Sequence, residues 1–236
     1  MRDGIAILLL CAMPMAAQAN VPWVDGFMQP SSFGRQPLSK KQQADQQFAK
    51  GRDYFLKARE LEEKAATAPT DVRRKRYLEN AYNRYRASAD AFAASLRRAR
   101  SENITPDYLP TLYLEMGDSL LKTGQHAQAA EAYRNAVDIA PAFFEAQFGF
   151  ARSALIVGQL DDVQQGYAWL RREADIKAKA WTAIDELMAM MATWIPRGAA
   201  AWDNVSIEEH AAFAIWFEQT RDELKDEVRW SVIEKK

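Results

Sequence analysis

The side chains of this sequence that could bind a metal ion are few and are poorly spaced for it. Its only histidines are His126 and His210, and His210 directly follows Glu208 and Glu209. Ligands on one helix share a face when they are about three or four residues apart, whereas adjacent residues diverge. The sequence therefore predicts no metal site, and no motif in it indicates a cofactor.

Adjacent carboxylates are the remaining candidates for acid–base chemistry. Asp161 precedes Asp162, and Asp185 precedes Glu186; two such groups could in principle hydrolyse a glycosidic bond. Nothing in the neighbouring sequence marks either pair as desolvated, which a raised catalytic pKa would require. The chain also lacks a glycine-rich phosphate loop, a G-x-S-x-G turn and an H-E-x-x-H helix. We expect no catalytic residue and no enzyme. A polysaccharide hydrolase of the cell envelope, or its accessory subunit, is the alternative.

The first nineteen residues have the features of an export signal. Arg2 precedes a mostly apolar run, and residues 17–19 read AQA, the small-x-small pattern that signal peptidases cleave. We interpret 1–19 as a signal peptide. Residues 20–38 mix Pro, Gly and Ser with aromatic side chains, which predicts an extended N-terminal arm.

Removal of the signal peptide would also remove Cys11, the only cysteine of the chain. The mature protein would then have no disulfide and no thiolate site. No later stretch has the roughly 18 apolar residues of a membrane-spanning helix, so we expect no transmembrane span in the mature chain. The bacterial periplasm is the predicted location. A eukaryotic secretory route stays open because Asn103 and Asn204 lie in formal glycosylation triplets.

The sequence from Ser39 onward is typical of an all-α protein. Ala, Leu, Glu, Lys, Gln and Arg dominate it, and glycine and proline are almost confined to short gaps. Ser206 and Glu209 form a capping box, in which each side chain pairs a free backbone N–H at the start of the last helix. The pattern predicts no strand and eight helices, at about 39–67, 71–101, 107–122, 126–139, 142–157, 160–174, 177–193 and 206–233.

Residues 110–143 contain a motif for two closely crossing helices. Gly117 and Ala129 lack bulk where the helices would cross, and large residues such as Tyr133 would fill the space around them. Gly124 supports the turn between the helices. The positions that define the motif are Tyr113, Met116, Gly117, Leu120, Ala129, Tyr133, Ala136 and Pro141.

This spacing resembles the 34-residue tetratricopeptide repeat. The next 34 residues match it more loosely, with Gln147 in place of a large apolar residue and Asp175 in place of the terminal proline. Upstream, residues 90–96 have a sequence similar to that of residues 131–137, which follow 41 positions later. The resemblance implies antiparallel helical hairpins that stack into a short solenoid with atypical ends. The predicted divisions are a degenerate long-helix hairpin at 39–101, two repeats at 110–177 and a C-terminal helical cap at 178–236.

The resemblance also implies a concave groove, lined by the first helix of each hairpin, that holds a peptide or helix of a protein partner. The positions that would face this groove combine apolar and charged side chains, as a specific protein interface requires. The alternative is that the apolar members are buried against the C-terminal helices. The predicted groove residues are Leu114, Asp118, Leu121, Lys122, Phe148, Arg152 and Leu155.

Charge is distributed unevenly along the chain. Residues 39–100 have 16 basic and 8 acidic side chains, whereas residues 101–236 have 13 and 22. The basic half begins with a patch formed by Arg73, Arg74, Lys75 and Arg76. This patch could contact an anionic membrane surface or an acidic protein, and the alternative is a solvated helix face. A net charge of −1 and the lack of interleaved aromatic and basic residues predict no nucleic-acid partner.

These observations together predict an exported, non-enzymatic scaffold or adaptor that binds a protein in the cell envelope. A structural subunit that self-assembles through its uneven charge is a further alternative. Six of the seven tryptophans lie beyond residue 168, and the sequence leaves open whether they form a core or an exposed docking strip.

Overall fold

The computed structural model describes residues 38–174 and 176–226. It contains eight α-helices in that part of the chain and no strand, which confirms the predicted all-α fold. Two short 3-10 turns, Ile195–Arg197 and Ala199–Ala201, connect the last two helices. The helices are α1 Lys40–Ala66, α2 Asp71–Ser101, α3 Leu109–Lys122, α4 His126–Ile139, α5 Phe144–Val157, α6 Leu160–Ala174, α7 Ala178–Trp194 and α8 Ile207–Asp226.

Several predictions concern residues outside the described ranges. These are the signal peptide at 1–19, almost all of the arm at 20–38, and Asp175. The last residues, from 227 onward, also lie outside, and with them the predicted end of the final helix and Trp230. Within the described ranges, no helix is both long and apolar enough to cross a membrane.

Side-chain caps fix the starts of the first, second and last helices. The Thr70 hydroxyl accepts a hydrogen bond from the Arg73 N–H, and Ser39 forms a capping box with Gln42. The capping box predicted at Ser206 is confirmed, because its hydroxyl accepts from the Glu209 N–H while the Glu209 carboxylate accepts from the Ser206 N–H. These bonds satisfy N–H groups that a helix start otherwise leaves unpaired.

Two helices begin two residues later than the sequence predicts. The N–H of Leu109 donates to the carbonyl of Pro106 just before α3, and the N–H of Phe143 donates to the carbonyl of Ala140 just before α5. Each bond closes a turn, so the helix begins after that turn. Helix propensity alone does not distinguish such a turn from the first turn of a helix.

The α1–α2 hairpin is held by polar and apolar contacts along its antiparallel helices. Buried Ser88 and Ser95 of α2 donate hydrogen bonds to the α1 carbonyls of Gly51 and Ala44, at 3.0 and 2.8 Å. The ring of Phe92 covers Gly51 so closely that a Cβ on this glycine would lie 2.6 Å from a ring carbon. With 27 and 31 residues, α1 and α2 are about twice as long as the 14 residues of α3 or α4.

The ring of Tyr133 fills a narrow space between α3 and α5. A Cβ on Gly117 would lie 2.8 Å from this ring, and a Cβ on Gly149 would lie 2.5 Å from it. In the next hairpin, a Cβ on Gly166 would lie 2.5 Å from the Cβ of Ala151. The missing side chains thus let four consecutive helices, α3 to α6, approach one another closely.

The helices pack in chain order, and their alternate members also touch. Helix α1 contacts α3, α3 contacts α5, and α5 contacts α7. Helix α8 contributes Phe213, Phe217 and Leu224 to the largest core cluster, which also draws on α5, α6 and α7. The outward side chains of α1, α3, α5 and α7 therefore lie in one row. We call this row, which runs from Arg52 in α1 to Glu186 in α7, the odd-helix face.

The C-terminal tryptophans of the described residues pack on the core and do not form an exposed strip. Trp202 is buried, its indole N–H donates to the carbonyl of Leu155 at 2.7 Å, and its ring stacks on Trp194. Trp216 is partly buried and meets the ring of Tyr167 edge to face. Trp169 and Trp181 pack against the same cluster.

Candidate functional site

Asp118 lies at the middle of the odd-helix face. It accepts a hydrogen bond from the hydroxyl of Tyr133, whose ring is fully buried at the crossing of α3 and α4. Burial raises the pKa of Asp118, and this effect exceeds the opposite effects of the Tyr133 hydrogen bond and of Arg152 and Lys122. Burial, together with the Asp118 charge, raises the pKa of Tyr133 as well, so the phenol remains protonated as the donor.

Arg152 connects α5 to α7 on this face. Its guanidinium lies over the ring of Phe148 at 5.5 Å, and its Nη1 is 3.5 Å from a carboxylate oxygen of Glu186. Its Nε is buried and has no hydrogen-bond partner among the described residues. A buried donor without a partner costs free energy in the folded protein.

Lys122 extends the same row toward α1. Its Nζ is 2.7 Å from a carboxylate oxygen of Glu62 and lies over the ring of Tyr85. The second oxygen of Glu62 accepts a hydrogen bond from the Tyr85 hydroxyl at 2.8 Å. Leu114 and Leu121, on either side of Asp118 in the helix, are partly buried against neighbouring core clusters.

Leu155 is the exception among the predicted groove residues. It is 0% exposed, belongs to the largest core cluster, and its carbonyl is covered by the indole of Trp202. The alternative that apolar members of the set are buried against the C-terminal helices is thus correct at this position. We therefore remove Leu155 from the predicted groove residues, and the other six stay a prediction.

Helix α1 contributes charged residues that the sequence did not assign to the groove. The Nε of Arg52 is 3.0 Å from Oε1 of Glu115, which is only 7% exposed and whose Oε2 has no hydrogen-bond partner among the described residues. Burial raises the pKa of Glu115 more than Arg52 lowers it. Arg59 lies two helical turns after Arg52 and is exposed. Its charge lowers the pKa of both Glu115 and Asp118.

The register of α1 explains why these residues were missed. The helices of the first hairpin are too long for the 34-residue spacing, so no fixed offset relates Arg52 to a position in the later repeats. A usable signal was nevertheless present, because Phe92 corresponds to Tyr133 in the 41-residue echo. Gly51 lies under Phe92 as Gly117 lies under Tyr133. A search for the glycine that packs under Phe92 would have identified Gly51 and so fixed the register of α1 against α2.

The odd-helix face thus joins charges of both signs to partly buried apolar side chains. Basic and acidic groups of neighbouring helices face each other at Arg52 and Glu115, at Lys122 and Glu62, and at Arg152 and Glu186. Such a row can orient a polypeptide by its polar groups, while side chains such as Phe148 supply apolar area.

The basic patch lies elsewhere, at the start of α2. All four of its residues are exposed, and Arg74 pairs with Asp71 at 2.9 Å. The patch therefore lies in the first turns of α2, next to the turn that joins α1 to α2, and is separate from the odd-helix face.

Four of the residues first considered for chemistry have a definite place in the helical framework. Nε2 of His210 is 3.0 Å from the carbonyl oxygen of Ile195, and His126 is the first residue of α4. Asp161 and Asp162 lie in the first turn of α6, where Asp162 pairs with Arg134. In the part of the chain that the structure describes, no three His, Cys, Asp or Glu side chains are grouped so as to hold a metal ion.

Comparisons with protein-family models, with curated proteins and with solved structures give no match for this chain.

Proposed function

We propose that the chain is an exported scaffold or adaptor of the tetratricopeptide-repeat type, and that it binds a protein partner on the odd-helix face. In this proposal the hairpins form a short solenoid and α7 and α8 cap its C-terminal end. The odd-helix face is the inner groove, and the protein acts in the cell envelope without a catalytic step.

The observation that carries the proposal is the composition of this face. The side chains of Leu114, Leu121 and Phe148 are only partly buried, and charged pairs from adjacent helices lie between them. Pairing within the face lowers the cost of keeping charges near an apolar surface. A partner that covers the apolar side chains would gain hydrophobic free energy, and the charges would favour one register of binding.

The close crossings of the helices support a display role. Tyr133 packs on both Gly117 and Gly149, and its hydroxyl also holds Asp118. The side chains that would meet a partner are thus fixed by the same contacts that hold the hairpins together. A preorganised face loses less conformational entropy on binding than a flexible one.

Site-specific crosslinking tests the groove. We would place a photoreactive amino acid at Phe148 in one variant and, as the control, at Ile139, which is exposed on α4. Irradiation of intact cells should crosslink a discrete envelope protein at position 148 and not at 139. Equal crosslinking at both positions, or none at 148, would contradict the proposal.

A second experiment measures the contribution of the apolar side chains. The double change Leu121→Ser and Phe148→Ser should lower capture of the crosslinked partner at least about tenfold with little change in the melting midpoint, because both side chains are already partly exposed. The matched control is Leu155→Ser, which should lower the melting midpoint because this residue is fully buried. Unchanged capture by the double variant would show that these apolar side chains do not contribute to partner binding.

The proposed export can be tested separately. The mass of the protein recovered from the periplasm should correspond to a chain that begins at Asn20. A periplasmic protein that retains Met1, or a failure to leave the cytoplasm, would contradict the signal peptide.

A further inference from the structure

The α1–α2 hairpin continues past the end of its neighbour. Its last contact of opposite charges with α3 joins Glu62 to Lys122, the final residue of that helix. Beyond this point α2 still has about three turns, from Asp71 to Tyr82. The first hairpin therefore presents a length of helix that α3 and α4 do not reach.

One apolar side of α2 runs from the core into this projecting end. Leu78, Tyr82, Ala89 and Leu96 are spaced by four, seven and seven residues, which places them on the same side of a helix. Ala89 and Leu96 are buried in the clusters that include α3 and α4. Leu78 and Tyr82 are 48% and 46% exposed. We call the exposed continuation, with its flanking residues Lys75 and Arg86, the hairpin-end surface.

The hairpin-end surface is basic. Lys75 is seven residues before Tyr82 and Arg86 is four residues after it, so both lie on the same side of the helix as the tyrosine. Both side chains are exposed, and neither forms an ion pair with another described residue. An acidic surface with an apolar centre would complement this one.

The outer side of α8 has that complementary character. Ile215 is 60% exposed at its centre. Glu208 and Asp222 lie seven residues before and after it, and Glu218 lies three residues after it, so the three acids surround the isoleucine. All three acids are exposed. Two of them pair with single bases of the same helix, Asp222 with exposed Lys225 and Glu218 with partly buried Arg221.

We propose that this protein self-associates head to tail, with the hairpin-end surface of one copy packed on the outer side of α8 of the next. Leu78 and Tyr82 would cover Ile215, and Lys75 and Arg86 would face Glu218 and Asp222. The two surfaces differ, so the contact is heterologous and builds a closed ring or an open row of copies. The proposal does not depend on a partner at the odd-helix face.

Sedimentation of the full chain at increasing concentration tests the proposal. Association should appear at about 0.05 M salt and weaken strongly at about 0.5 M, because screening shortens the reach of exposed charges. The double change Lys75→Glu and Arg86→Glu should weaken association at least about tenfold by placing like charges opposite each other. The far-ultraviolet spectrum and the melting midpoint should not change, since both residues are exposed.

The matched control makes the same change of charge on the opposite side of α2. Arg73 is nine residues before Tyr82 and Arg84 is two residues after it, so both point away from the hairpin-end surface. The pair Arg73→Glu and Arg84→Glu should weaken association much less. An equal loss in both double variants would mean that net charge, not this surface, drives association, and it would overturn the proposal.

Reciprocal charge exchange identifies the second surface. The variant Glu218→Lys and Asp222→Lys should fail to associate with itself. It should form a complex when mixed with the Lys75→Glu and Arg86→Glu variant. Absence of a complex in the mixture would overturn the pairing with α8. A full chain that stays monomeric at low salt would overturn self-association and leave the hairpin-end surface to another acidic protein.

Discussion

The hydroxyl of Tyr133 donates a hydrogen bond to the carboxylate of Asp118, which joins the core of a hairpin to the centre of the odd-helix face. The tyrosine ring is fully buried, whereas the carboxylate reaches the surface of the row. The position of a charge that a partner would meet is therefore set by core packing. Changes to this pair should affect both the pH dependence of stability and the position of the Asp118 charge on the odd-helix face.

We predict that Asp118→Asn removes one contribution that makes stability fall with rising pH. Burial raises the folded-state pKa of Asp118 above its usual range. Between the unfolded value of about 4 and this raised value, the folded chain holds more protons than the unfolded chain. The free energy of unfolding should therefore fall as the pH rises through this window. Asparagine keeps an acceptor for Tyr133 but does not titrate, so this part of the slope should disappear.

Urea unfolding at a series of pH values measures this effect. The control is Asp107→Asn, which removes an exposed carboxylate before α3 and should leave the slope unchanged. An Asp118→Asn variant with the slope of the unmodified chain would show that Asp118 is not responsible for it.

We predict that Gly117→Ala destabilises the protein by about 1–3 kcal/mol, the usual cost of an added methyl group in a packed core. The new Cβ would lie 2.8 Å from the ring of Tyr133, which Gly149 confines on its other side. Chemical unfolding provides the measurement. Gly124→Ala is the control, since its Cβ would meet nothing within 4 Å and only its φ of +77° is unfavourable, at about 1 kcal/mol. A smaller loss at Gly117 than at Gly124 would contradict the close crossing.

We predict that Arg52→Met lowers the free energy of unfolding by about 1 kcal/mol. Removal of one partner from a fully buried ion pair costs about 3–5 kcal/mol, but exposed pairs contribute far less. Arg52 is half exposed and Glu115 is almost buried, so an intermediate, discounted value is expected. In a double-mutant cycle, Glu115→Gln should restore most of the loss by removing the uncompensated carboxylate. Strict additivity of the two changes would mean that the pair is not coupled.

We predict that Trp202→Phe costs about 1–3 kcal/mol, the range for a buried hydrogen-bonding group that loses its partner. The indole N–H of Trp202 donates to the Leu155 carbonyl, which phenylalanine cannot do. Trp216→Phe is the control because Trp216 is only partly buried and meets Tyr167 through its ring. Thermal unfolding should place the Trp202 variant below the Trp216 variant, and the reverse order would refute this role of the indole.

The sequence was sufficient to predict the helices because their local signals are strong. The cap at Ser206 and the small residue at Gly117 act over one or two turns, and each has its expected role. The late starts of α3 and α5 were missed, since they depend on turns that resemble helix in composition.

The candidate site was predicted in part. Six of its residues lie on α3 and α5 at positions that the repeat motif defines, and their role in binding stays a prediction. Leu155 failed because the residue that buries it, Trp202, is 47 positions away in the chain. Arg52 and Glu115 were missed for a related reason, since their pairing joins positions 63 residues apart across a hairpin of unusual length. Such contacts depend on tertiary structure, which a single-sequence pattern does not encode.

The projecting end of the first hairpin should also open independently of the rest of the chain. Its amides are held by helical hydrogen bonds with few buried side chains around them, such as Ala65 and Ala81. Segments of this kind exchange hydrogen through small local openings, whereas amides near Phe92 require a much larger opening. Isotope uptake should therefore begin around Pro69 and advance along both helices toward Gly51, so that one hairpin would show a graded rather than a uniform protection.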